Sequence, residues 1–95
     1  MPTLARQPPQ SGKGFQFPGK FEITAVGGAH ADLPTQVPKL LEQAGLHVVP
    51  ASMRQRVSRA GNFVSVTVTV HCNDRAQYEA AHATLRSQAD VRYTL

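Results

Sequence analysis

Between residues 62 and 72 the chain alternates: Val64, Val66, Val68 and Val70 are separated by Ser65, Thr67 and Thr69. A two-residue period of β-branched side chains predicts a strand with one dry face and one wet face. The dry row continues to Cys72, and the wet row holds Phe63, Ser65, Thr67, Thr69 and His71. Residues 20–26 repeat the pattern, with Phe21, Ile23 and Ala25 inward, Glu22 and Thr24 outward, and Gly27-Gly28 as the stop. Residues 46–58 predict another strand, interrupted by Pro50, which lacks an N–H and belongs on a sheet edge or at a bulge. The linker 58–62 sets Gly61 beside Asn62 and predicts a hairpin turn that needs a positive φ. A last strand spans 90–95, with Val91, Tyr93 and Leu95 on one side and Arg92 and Thr94 on the other.

Two helical stripes fall between these strands. From about residue 32 to 44, Leu33, Val37, Leu40, Leu41 and Ala44 form one apolar face, with Asp32 as N-cap and Gly45 as stop. Pro34 fits a first turn. Pro38 removes a helical hydrogen bond, so the helix either kinks there or starts at Thr35. From about residue 75 to 88, Tyr78, Ala81, His82 and Leu85 share a face, and Asp74 with Gln77 resembles a capping box. The order β-α-β-β-α-β predicts an α+β, ferredoxin-like plait. Its four-stranded antiparallel sheet has order 4-1-3-2, with two helices on one face and about fifteen apolar side chains in one core.

Composition narrows the picture. A length of 95 residues holds one domain. Residues 1–19 contain seven of the fourteen Pro and Gly, so residues 1–15 read as a disordered tail and 16–95 as the domain. An anion-binding arm using Arg6 and Lys13 is the alternative to a plain terminus. Of 39 hydrophobic residues, 22 are Ala or Val, and there is no Trp. Such a core fills a thin two-layer fold and leaves no volume for a deep active site. Charged residues, at 17%, are too few for charge-driven disorder, and a net charge of +4 raises the question of an anionic partner. The lone Cys72 points to a reducing, cytoplasmic setting. There is no apolar run of membrane-spanning length and no apolar signal core.

Several residues are familiar as a set. Phe17-Pro18, Phe21-x-Ile23 and Val26-Gly27 come first, then Ser58-x-x-Gly61-Asn62-Phe63-x-Ser65-Val66-x-Val68, then Val91-Arg92 and Leu95. Together, over residues 17–95, they resemble the YbeD-like family of small bacterial proteins of unknown function. The resemblance implies a ferredoxin-like fold close to the ACT regulatory domains, and no established activity. The chain has Gly19 where Cys is common in that family and Thr24 where Lys is common. It also carries Pro34 and Pro38 in the first helix, and its second-strand region is longer. No role tied to that Cys or Lys carries over.

Two candidate sites follow. Gly27, Gly28, Ala29 and His30 join the first strand to the first helix. In ACT-like domains the corresponding turn, packed on a second protomer, holds a small amino acid. Glycine lets a ligand near the backbone, and helix N-terminal N–H groups attract a carboxylate. The plainer reading is a tight turn. Arg54, Arg56, Arg59 and Arg92 form the second candidate, a basic helix-free sheet face for an anion or acidic partner. The plainer reading is edge charge that deters aggregation.

The plait is also the fold of RNA-recognition motifs. Here the aromatics expected at Gly61 and Val66 are missing, which argues against nucleic acid. His30, His47, His71 and His82 are scattered, and His71 and Cys72 point to opposite faces. No nucleophile–base pattern or phosphate loop is present, so no enzyme activity, metal or cofactor is expected. The expected function is non-enzymatic binding of a small metabolite or protein partner in ACT-like fashion. The alternative is an adaptor for nucleic acid or another anionic partner. A homodimer is also expected, with the open face and the second-strand edge as the two candidate surfaces.

Overall fold

The valine row needs a partner strand on each side and a cover on one face, and the chain supplies both. The computed structural model describes residues 16–95; the tail read at residues 1–15 lies outside the described residues. The elements are β1 (Gly19–Gly28), α1 (Leu33–Gln43), β2 (His47–Val48), β3 (Arg54–Val57), β4 (Phe63–Cys72), α2 (Arg75–Arg86) and β5 (Val91–Thr94). Val64, Val66, Val68, Val70 and Cys72 are buried. Across the ladder, Ile23 faces Val68 and Ala25 faces Val66. Leu33, Val37 and Leu41 of α1 and Ala81 and Leu85 of α2 close the core from one side. The opposite face carries no helix. Among the described residues, no helix is long and apolar enough to cross a membrane.

The antiparallel sheet runs β2-β4-β1-β5, and β3 also pairs with β4. The expected 4-1-3-2 order therefore holds, with the second strand divided in two. Residues 49–53 stand opposite only Val68 and Thr69, so the surplus chain must leave the sheet. Pro50 turns it out, and Ser52 N–H closes the turn onto the Val49 carbonyl at 3.3 Å. Ser52 Oγ then accepts the Thr69 N–H at 3.0 Å, replacing the missing ladder bond. In that turn Ala51 is held at φ +60°, a left-handed conformation that a Cβ disfavours.

The last strand corrects the expected alternation. Val26 pairs with Tyr93 but Gly27 pairs with Val91, so Arg92 is an extra residue in a β-bulge. Val91 is buried. Arg92 and Tyr93 both reach the open face. Thr94 turns back beneath α2, where its hydroxyl meets His82 Nδ1 at 2.8 Å. Leu95 exchanges two backbone hydrogen bonds with Thr24 and lies on the open side.

Helix α1 starts at Leu33, ahead of both prolines, so the expected alternative of a start at Thr35 is excluded: Pro38 sits inside the helix. Asp32 occupies the N-cap position without a side-chain cap bond. At the other end, Gly45 N–H bonds the Glu42 carbonyl and Leu46 N–H the Leu41 carbonyl, each at 3.0 Å. With Gly45 at φ +84° and Leu46 buried on the core, this is a Schellman stop. In α2, Asp74 Oδ1 accepts the Gln77 N–H at 2.9 Å. Gln77 Oε1 returns to the Asn73 N–H at 2.7 Å, a capping box shifted by one residue.

Ala51→Gly relieves the left-handed residue of the 49–52 turn. It is expected to stabilise the domain by about 0.5–1 kcal/mol, read as a raised urea midpoint with an unchanged slope.

Candidate functional site on the open sheet face

The wet row of β4 forms the floor of a broad, open depression. Phe63, Ser65 and Thr67 come from β4, and Thr24 and Val26 from β1. Thr24 Oγ1 and Thr67 Oγ1 share a 2.7 Å hydrogen bond that ties the two central strands on this side. Arg54 and Arg56 lie opposite Thr67 and Ser65, which places both guanidiniums on the open side. The hairpin turn brings Arg59 to the same rim. Ser58 Oγ accepts the Phe63 N–H at 3.1 Å, Gly61 N–H donates to the Ser58 carbonyl at 2.9 Å, and Gly61 adopts φ +80°. The Ser58, Gly61 and Phe63 positions of the signature are thus the parts of one turn.

All four predicted arginines line this depression. Arg92 lies over the Phe63 ring, 5.1 Å from its centroid, a cation–π contact that reaches across β1. Arg54 meets Glu22 at 3.1 Å, and because both side chains are mostly exposed the pair adds little stability. The lining also includes Tyr93 and Leu95, which are 50% and 69% exposed. The sequence pattern put both on the same side as Val91, because a strict two-residue count cannot register the bulge at Arg92. The lining contains no imidazole, thiol or acidic side chain. Its chemistry is anion pairing beside apolar contact.

The Gly27–His30 cluster forms one strand-to-helix turn, with Ala31 N–H on the Gly28 carbonyl at 3.1 Å. A side chain at Gly27 would collide with the Asp90 carbonyl oxygen and stand 2.8 Å from Leu33 Cδ1. One at Gly28 would strike the His30 ring. The space a ligand would use beside these glycines is occupied by the chain itself. His30 is exposed, with Nε2 3.9 Å from Asp90 Oδ1. Pro34 at the start of α1 removes one of the N–H groups that would greet a carboxylate.

The remaining reactive side chains stand apart. Burial pushes the Cys72 thiol up, and Asp74 adds to this, so the thiol stays protonated. His47 and His71 face each other on β2 and β4, with ring centroids 6.3 Å apart. His82 packs against the Tyr78 ring at 4.9 Å, within a cluster that extends to Phe21 and Phe17. Its Nε2 is buried without a hydrogen-bond partner among the described residues. Burial holds the His82 imidazole below its ordinary range, and Arg86 lowers it further. Among the described residues, no three His, Cys, Asp or Glu side chains gather as a metal-binding group.

A family model described as "Protein of unknown function (DUF493)" matches residues 13–95. The chain belongs to this family. Relatives of this DUF493 chain include the UPF0250 protein of Xylella fastidiosa (strain 9a5c), 44% identical over 82 residues, or 86% of this chain and 89% of that protein. UPF0250 protein XAC0666 of Xanthomonas axonopodis pv. citri (strain 306) is 42% identical over the same shares. Both agree with the resemblance to small bacterial YbeD-like proteins. Among solved structures, protein HP0495 from H. pylori superposes with a TM-score of 0.65 at 16% identity, covering 95% of this chain and 96% of that one. The ACT domain of GTP pyrophosphokinase from Chlorobium tepidum gives 0.64 at 9% identity, covering 80% of this chain and 94% of that one. These likenesses establish the DUF493 chain as an ACT-like, ferredoxin-like fold.

Gly27→Ala is expected to destabilise by about 1–3 kcal/mol, since backbone and a core leucine block the new methyl. Gly28→Ala costs less because the His30 ring can swing away; paired urea titrations check the difference. His82 gives a pH dependence. Its folded pKa lies below the unfolded value, so the unfolded chain takes up the proton first. The His82 contribution is expected to be complete above about pH 6.5 and to fall away as pH drops below it. An NMR titration of the His82 ring, alongside stability measured at both ends of that range, checks the sign.

Proposed function

We propose that the domain is a cytosolic binding module, not an enzyme, and that it receives an acidic protein partner on its open sheet face. The observation that carries this reading is the gathering of Arg54, Arg56, Arg59 and Arg92 around one depression with Phe63, Tyr93 and Leu95 exposed among them. Guanidiniums recognise carboxylates, and the apolar side chains add contact area that bulk counter-ions cannot use. The depression is broad and open, which suits a polymer segment better than a small metabolite. The metabolite reading of the Gly27–His30 turn has less support, because Asp90, Leu33 and His30 fill that space. Burial of the single thiol, Cys72, is compatible with a reducing compartment.

Self-association by face-to-face stacking is disfavoured on the same grounds. Two copies related by a two-fold axis would set arginines against arginines.

The test is a pull-down from native cytosol with the wild-type domain and with Arg54→Ser/Arg56→Ser as control. The expected result is a partner retained by the wild type and weakened at least about tenfold in the double variant, with unfolding midpoints unchanged. Equal retention by both proteins opposes the reading.

A further inference from the structure

We propose that β3 is a docking edge to which an extended acidic segment of a partner protein adds as a further strand. This rests on the reading of the open face as a partner surface and specifies the partner's chemistry. Among the described residues, β3 pairs with β4 on one side and with nothing on the other. The bond from Ser58 N–H to the Phe63 carbonyl fixes the phase of that ladder. Antiparallel pairs alternate, so Arg56 and Arg54 turn their backbone groups toward β4. Gln55 and Val57 then turn theirs outward. All four residues of β3 are exposed.

The two faces of this edge differ. Arg54 and Arg56 stand on the open side. Gln55 and Val57 share the helix side with Val66 and Val64, but the helices do not cover them. Val57 is 57% exposed, and Met53 just before the strand is 40% exposed. An added strand with a two-residue period satisfies both faces at once, with acidic side chains above and apolar ones below. A second copy of β3 fits poorly, since its arginines would face Arg54 and Arg56. A nucleic acid would engage the guanidiniums but leave the outward backbone groups and Val57 unused. Edge charge alone deters aggregation, yet an exposed valine beside it works against that end.

The experiment uses the full chain, labelled for NMR, and a synthetic peptide of about eight residues alternating Glu and Val. Its controls are a peptide of the same composition ordered in pairs and a uridine oligonucleotide. The alternating peptide is expected to bind with Kd below about 1 mM and to slow amide exchange at Gln55 and Val57 at least about tenfold. Gln55→Pro removes one outward N–H and leaves the β4 ladder bonds in place, so it should weaken binding at least about tenfold.

Strand addition is overturned if the paired-order peptide binds equally, if the oligonucleotide binds more tightly, or if neither outward amide is protected. If Gln55→Pro binds as wild type while Arg54→Ser/Arg56→Ser does not, strand addition fails and the open-face reading survives. If the double-arginine variant binds as wild type, both fail. Should Gln55→Pro not fold, amide protection in the unaltered chain decides alone.

Discussion

Strand β4 can bury only one of its faces, and the rest of the molecule is arranged around that constraint. Its valines demand cover from α1 and α2. Its serine and threonines then lie on the far side, where no helix follows. β1 repeats the division in register, so the two central strands agree on which side is dry. The open face is thus a by-product of core formation: polar rows excluded from the core supply its floor, and the flanking strands decorate it.

Much of this was legible in the sequence because period-two alternation is strong on β1 and β4, and because Gly45, Asp74 and Gly61 mark ends and turns by local chemistry. What escaped was non-local. The division of the second strand depends on how many residues of 46–58 fit against β4, and Pro50 alone shows only that something departs there. The fate of Pro38 depended on tertiary packing, since the apolar stripe of Leu33, Val37 and Leu41 holds the helix together around a missing hydrogen bond. The bulge at Arg92 left no local mark, because alternation over five residues fits two phases equally well.

The candidate sites divide along the same line. The four arginines were assigned correctly to one face because residue parity decides the face of Arg54 and Arg56, and Arg59 lies in the adjoining turn. Arg92 was placed there by parity too, while its neighbour Tyr93 arrived only through the bulge. The glycine turn shows the opposite case. Two adjacent glycines look the same in sequence whether they admit a ligand or a neighbouring chain, and here Gly27 admits Asp90 and Leu33. Only the packed structure separates those meanings.

The bulge at Arg92 also makes the character of the open face a matter of length as much as of residue type. Removing Arg92 would take out the extra residue and leave Val91, Tyr93 and Thr94 in plain alternation opposite Gly27, Val26 and Ala25, with Tyr93 still on the open side and Thr94 still beneath α2. The end of β5 therefore works as a spacer: losing one codon there would withdraw a guanidinium and its contact with the Phe63 ring from the open face while β1 and β4 keep their pairing. In this fold, the make-up of the open face can change at the end of β5 without any substitution in the central strands.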